Sequence, residues 1–90
     1  MNSWPNKDPD EVLDYDVSWI LAAGETLSAS SMVVVEGTVV KADESFTPEG
    51  VATVWLTGGA VGEICLVRNR VTTSMGRTYD TTTRLRIQTK

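Results

Sequence analysis

The 90-residue chain contains no histidine and only one cysteine. Without histidine the commonest general base, metal ligand and pH switch is missing, so Ser-His-Asp triads, Cys-His dyads and zinc sites are excluded by inventory. The lone thiol, Cys65, closes no internal disulfide. That removes the stapled secreted class, fits a reducing origin, and leaves Cys65 as a small apolar strand residue. No run of about eighteen apolar residues exists, and the first ten residues, Met1 to Asp10, lack the basic-then-apolar layout of a secretory leader. A soluble domain made in the cytosol, with no membrane partner, is therefore expected.

With 41% apolar residues the chain supports one core, because a chain of this size buries roughly 60–70% of its unfolded surface. Its formal charge of −4 is unevenly spread. Residues 1–25 carry Asp8, Asp10, Glu11, Asp14, Asp16 and Glu25 against Lys7 alone. Residues 63–90 carry Arg68, Arg70, Arg77, Arg84, Arg86 and Lys90 against Glu63 and Asp80. An acidic head and a basic tail allow two arrangements. On opposite flanks of the fold they would draw identical copies together side by side; as sheet neighbours they would neutralise each other within one copy.

Residues 1–11 are polar, hold two of the three prolines and show no periodicity, which predicts an irregular arm carrying Trp4 near its tip. Such an arm either anchors a neighbouring subunit through Trp4, frays, or folds back on its own domain. From Val12 the pattern becomes strand-like. Leu13, Tyr15, Val17 and Trp19 alternate with Asp14, Asp16 and Ser18, the period of a half-buried strand. Further strands are expected at Thr26–Ser30, Met32–Val35, Thr38–Lys41, Val51–Leu56, Glu63–Val71 and Thr81–Gln88. Turns are expected at Ala22–Gly24, Ala42–Ser45, Thr47–Gly50, Gly58-Gly59 and Ser74–Arg77. Trp55 is the expected core anchor between two sheets, Leu85 and Ile87 point inward, and Ile64 and Leu66 suggest that the start of their strand is covered on both sides. About seven short strands with turn signals every eight to twelve residues predict an all-β, immunoglobulin-like antiparallel sandwich over residues 12–90, preceded by the arm at 1–11.

Little in the sequence suggests a cofactor, and none is expected. Asp14 and Asp16, two residues apart on one strand face, lie about 7 Å from each other. Without a loop glycine and a bidentate glutamate this is too sparse for calcium, and a solvated strand face near a basic partner explains them better. The Gly58–Gly62 segment has neither the Lys-Ser/Thr ending nor the following helix of a phosphate loop, and reads as a hairpin or bulge. Arg84 and Arg86 align on one strand, but an acidic chain with six aromatics mostly at core-like positions argues against a nucleic-acid partner. The hydroxyl runs Thr72-Thr73-Ser74 and Thr81-Thr82-Thr83 fit strand propensity and turn chemistry.

Three segments taken in order, Asp8-Pro9-Asp10-Glu11-Val12-Leu13-Asp14-Tyr15, Val54-Trp55-Leu56-Thr57-Gly58-Gly59 and Arg68-Asn69-Arg70-Val71-Thr72-Thr73-Ser74-Met75-Gly76-Arg77, resemble a family of small tailed-bacteriophage virion proteins. These are fiber-tail adaptor proteins of the neck or tail with an immunoglobulin-like fold. The resemblance runs from about residue 7 to residue 90. It implies a non-enzymatic virion protein, assembled in the host bacterial cytoplasm, that binds other virion proteins of the tail, neck, fiber or capsid in several symmetric copies. Trp4, Asp8, Asp10, Arg77, Arg84 and Arg86 are the expected protein-contact residues. On this reading the arm serves contact alone, so removing residues 1–10 leaves the fold intact and abolishes incorporation. Two other roles stay open: a capsid decoration protein, and a host-surface receptor or glycan binder that stacks sugars on Trp4 and Tyr79.

Overall fold

The computed structural model describes residues 2–90. Seven strands make up the fold: β1 (Asn2–Ser3), β2 (Leu13–Ser18), β3 (Leu27–Glu36), β4 (Val39–Phe46), β5 (Val51–Gly58), β6 (Ile64–Thr73) and β7 (Thr78–Arg86). They form two sheets, ordered β1-β7-β6-β3 and β2-β5-β4. All pairings are antiparallel except β1 with β7. Lettered A to G in chain order, the sheets are AGFC and BED. This is the immunoglobulin-like strand order with the first strand moved to the opposite sheet.

Alternation decides what each strand buries. In β2, Tyr15 and Val17 enter the core while Asp14, Asp16 and Ser18 face solvent. In β6, Cys65, Val67, Asn69 and Val71 point inward, opposite Leu85 of β7 and Ile87 beyond it. Strand β5 corrects one expectation. Its inward face is Ala52, Val54 and Leu56, all fully buried, whereas Trp55 points outward and is 40% exposed. Trp55 shares its side of the strand with Thr53 and Thr57, so the wholly aliphatic side is the one that desolvates at least cost. Ile64 is also outward, at 45% exposure, because its neighbour Cys65 takes the core position.

Two further differences follow from sheet edges. Residues 42–45, expected to turn, continue β4 through a register shift between Lys41 and Asp43. As β4 is an edge strand, its polar side chains stay hydrated and the bulge absorbs the irregular pattern. The segments expected at 26–30 and 32–35 form the single strand β3, also at an edge and also bulged.

The chain passes from one sheet to the other at Gly37, whose φ of +105° is open to glycine. A Cβ there would collide with Cys65 Sγ and approach Cys65 Cβ at 2.9 Å. Burial pushes the Cys65 thiol pKa up, in keeping with a packing role in this notch.

The N-terminal segment is more ordered than an irregular arm. Asn2 and Ser3 pair with Thr83 and Arg84, and Lys7 bridges to Ile87. Backbone bonds from Trp4 N to Arg84 O (2.9 Å), Lys7 N to Arg86 O (3.0 Å) and Gln88 N to Lys7 O (2.9 Å) hold it along β7. Side chains fasten it from the other sheet. Trp4 stacks on Tyr15 at 4.9 Å and donates from Nε1 to Asp16 O, while Tyr15 Oη donates to Pro5 O at 3.1 Å. Lys7 is completely buried, and its Nζ donates to Asp8 O (2.9 Å) and Gly58 O (2.7 Å). A segment with a buried lysine stem is part of the domain, so removal of residues 1–10 would damage the fold, contrary to the expectation of a dispensable arm.

Candidate functional site

Of the six residues expected to make contacts, three come together. Trp4, Arg84 and Arg86 line a groove of about 290 Å³ with Ser3, Asn6 and Ile64. The reason is register: Ser3 lies beside Arg84, Leu66 opposite Arg84, and Ile64 opposite Arg86. Leu85, between the two arginines in sequence, faces the core. The groove therefore combines two exposed guanidinium groups with an exposed aliphatic side chain and part of an indole.

The same outward face continues across β6 and β3. Arg68 opposes Thr82 on one side and Val33 on the other, and Arg70 opposes Asp80. Arg70 and Asp80 form a two-pronged ion pair at 2.7 and 2.9 Å, which holds the Asp80 carboxyl below its ordinary range. Among the described residues Arg68, Arg84 and Arg86 take part in no ion pair.

Asp8, Asp10 and Arg77 are not in the groove. The Asp8 carboxylate accepts from the backbone N–H of Asp10 and of Lys90, each at 2.9 Å. The Lys90 and Asp10 amides, in that order, lower its pKa. Lys90 also pairs with Glu11 at 2.9 Å, so here the acidic head and basic tail neutralise each other within one copy. Arg77, in the β6–β7 hairpin, reaches Glu25 at 3.4 Å. The Glu25 side chain, 1% exposed, accepts from Ala22 N (3.0 Å) and Thr73 Oγ1 (2.8 Å). The Ala22 amide, then Thr73, keep its pKa low. Arg77 is thus engaged in holding a turn.

The opposite face was only partly read from sequence. On the outside of β2-β5-β4, Trp55 lies between Asp14 and Asp43, its direct cross-strand neighbours. Thr53 lies between Asp16 and Ser45 and donates to Asp16 Oδ1 at 2.7 Å. Three aspartates and a 40%-exposed indole thus share one surface, and none of the three is in an ion pair among the described residues. The alternation of β2 marked Asp14 and Asp16 as outward. Nothing local marked Asp43, which enters the row through the β4 bulge.

The other aromatic candidate, Tyr79, is half-buried and stacks on Trp19 at 5.9 Å. Trp19 Nε1 donates to buried Asn69 Oδ1 at 2.8 Å, and Asn69 Nδ2 donates to Ser30 Oγ and Ser31 O. Among the described residues no three His, Cys, Asp or Glu side chains converge as a metal site.

The geometry defines a small immunoglobulin-like β-sandwich with a basic, partly apolar groove at one sheet edge and an acidic face on the other sheet. A family model described as "Podophage GP4 fiber-tail adaptor protein gp77" matches residues 7–86, and the chain belongs to that family. The match begins at the buried Lys7 and ends at Arg86, the last residue of β7, so it covers β2 to β7 and leaves out β1. No curated protein matches the chain.

Proposed function

We propose that the chain attaches tail fibers, or neighbouring tail components, to the phage particle by protein–protein contact and does not catalyse a reaction. The observation that carries this reading is the groove of Trp4, Ile64, Arg84 and Arg86 on a chain of the fiber-tail adaptor family. An aromatic and arginines gathered at one partly apolar groove are residue types that dominate protein contacts. Support for a non-catalytic role comes from the composition, with no histidine for acid–base work and a single buried thiol. A virion location, several copies per particle and assembly in the host cytoplasm belong to the same reading.

The test is quantitative mass spectrometry of purified particles against the major capsid protein, together with particles carrying the Arg84→Glu/Arg86→Glu chain. Roughly a dozen copies or fewer, and loss of fibers in the variant, are expected for a symmetric tail adaptor. Hundreds of copies would make the chain a decoration protein, and absence from particles would overturn the virion role.

A further inference from the structure

The two broad outward faces of this sandwich complement each other. One presents Arg68, Arg84 and Arg86 around Ile64 and the groove; the other presents Asp14, Asp16 and Asp43 around Trp55. We propose that the Trp55 face of one copy docks into the Arg84/Arg86 groove of the next, so that copies of this chain join head to tail. The inference rests on the reading of the chain as a protein-contact module in the particle and supplies a partner for its groove: a second copy.

Four observations carry it. The faces lie on opposite sheets, so within one copy they cannot meet, and a second copy can supply the opposite charge to each. Trp55 is flanked by one aspartate on each neighbouring strand, about 5 Å to either side, while Arg84 and Arg86 stand about 7 Å apart along β7. An indole entering the groove would lie against Ile64 with a guanidinium over its ring, and Asp14 and Asp43 would then reach the two arginines. The groove, at about 290 Å³, has room for an indole. Finally, with Cα extents of 43 × 20 × 16 Å, a long side of the molecule matches the roughly 800 Å² per partner of a standard interface. Because the two docking surfaces differ, the contact is heterologous and repeats from copy to copy, as a ring requires.

Sedimentation velocity of the full chain tests the contact, using Trp55→Ser to break the acidic face and Arg84→Glu/Arg86→Glu to break the basic one. All three positions carry outward side chains, and unfolding midpoints verify that each variant folds. The wild type should self-associate at about 0.02 M salt and shift toward monomer at about 0.5 M. Each variant alone should be monomeric. An equimolar mixture should give a one-to-one heterodimer and nothing larger, because each variant retains the face the other has lost. A wild type that stays monomeric at low salt, or a mixture that does not associate, overturns the proposal, as does a monomer whose basic face instead retards duplex DNA. Particle composition separates this outcome from failure of the adaptor role. Both variants entering particles at wild-type copy number would sink the head-to-tail contact and leave the adaptor role standing, whereas absence of the wild-type chain would sink the adaptor role itself.

Discussion

Lys7 offers the sharpest test of how the N-terminal segment is held. Its side chain is fully buried and its ammonium has two backbone carbonyls, of Asp8 and Gly58, as hydrogen-bond acceptors. Lys7→Ala removes three buried methylenes, worth about 2.5 kcal/mol at about 0.8 kcal/mol each. Loss of the two charge-assisted bonds adds to the cost, but the variant also no longer desolvates an ammonium, and the two effects are of similar size and opposite sign. The expected net loss is therefore about 2.5 kcal/mol, which for a domain of this length lowers Tm by roughly 10–20 °C. Lys7→Met keeps the apolar stem and should cost about 1 kcal/mol or less. Urea denaturation of the three proteins, analysed at a common m-value, measures both differences. A loss under about 1 kcal/mol for Lys7→Ala would show that the segment docks without belonging to the cooperative unit, and would refute the burial reasoning. Equal losses for alanine and methionine would shift the credit from the stem to the ammonium.

Burial, and secondarily the charge of Glu11, pushes the Tyr15 pKa up to about 12. A raised folded-state value means stability is complete below pH 10 and falls between pH 10 and 12, by roughly 2–3 kcal/mol; urea titrations at intervals across that range should show the decline, and Tyr15→Phe should flatten it. Asp8, Glu11, Glu25, Glu63 and Asp80 all have lowered pKa values, so their contribution is present above the ordinary carboxylate range and is lost as pH falls through the depressed values. Circular dichroism should therefore show acid unfolding setting in below about pH 4, and Glu25→Gln should make the acid limb shallower. Gly37→Ala should cost about 1–3 kcal/mol in backbone strain before its collision with Cys65 is counted. Cys65→Ala should relieve only part of that, since a Cβ at 2.9 Å remains; a Gly37→Ala protein as stable as wild type would refute the notch. Asn69→Leu should cost about 2–3 kcal/mol by orphaning Trp19 Nε1, with a change in the near-ultraviolet Trp19 signal as its marker.

Strands with a clean apolar side were legible in the sequence. Leu13 to Ser18 alternates strictly, and Leu85 and Ile87, alternating with Arg84, Arg86 and Gln88, leave little choice of face. Trp55 runs against its size: a large aromatic suggests the core, but Thr53 and Thr57 on the same side of β5 carry hydroxyls that favour solvent. Strand β4 was hidden by Ala42-Asp43-Glu44-Ser45, which has turn composition and yet is stable at a hydrated, bulged edge. The docked N-terminal strand was hidden by Lys7, because a charged residue in a proline-bearing polar stretch is normally solvated. One trace was present: Lys7 is the single cation in residues 1–25.

The contact surfaces were less legible for a different reason, since each is assembled by register between distant segments. Arg84 and Arg86 could be paired by their spacing alone, but Ile64 joins them only because β6 runs antiparallel to β7 with Ile64 opposite Arg86. The row Asp14–Trp55–Asp43 draws on three strands and a bulge. Register is nevertheless dictated by the core. Sliding β7 by one residue would turn Arg84 and Arg86 inward and Leu85 outward, exchanging an aliphatic core position for buried guanidinium groups, and the cost of that exchange excludes the alternative. The packing of Leu85 and Ile87 therefore fixes the positions of the arginines, and the packing of Ala52, Val54 and Leu56 fixes Trp55 on the outside. The surfaces offered for assembly are the complements of the core pattern, set by the same alternation and requiring no separate device to orient them.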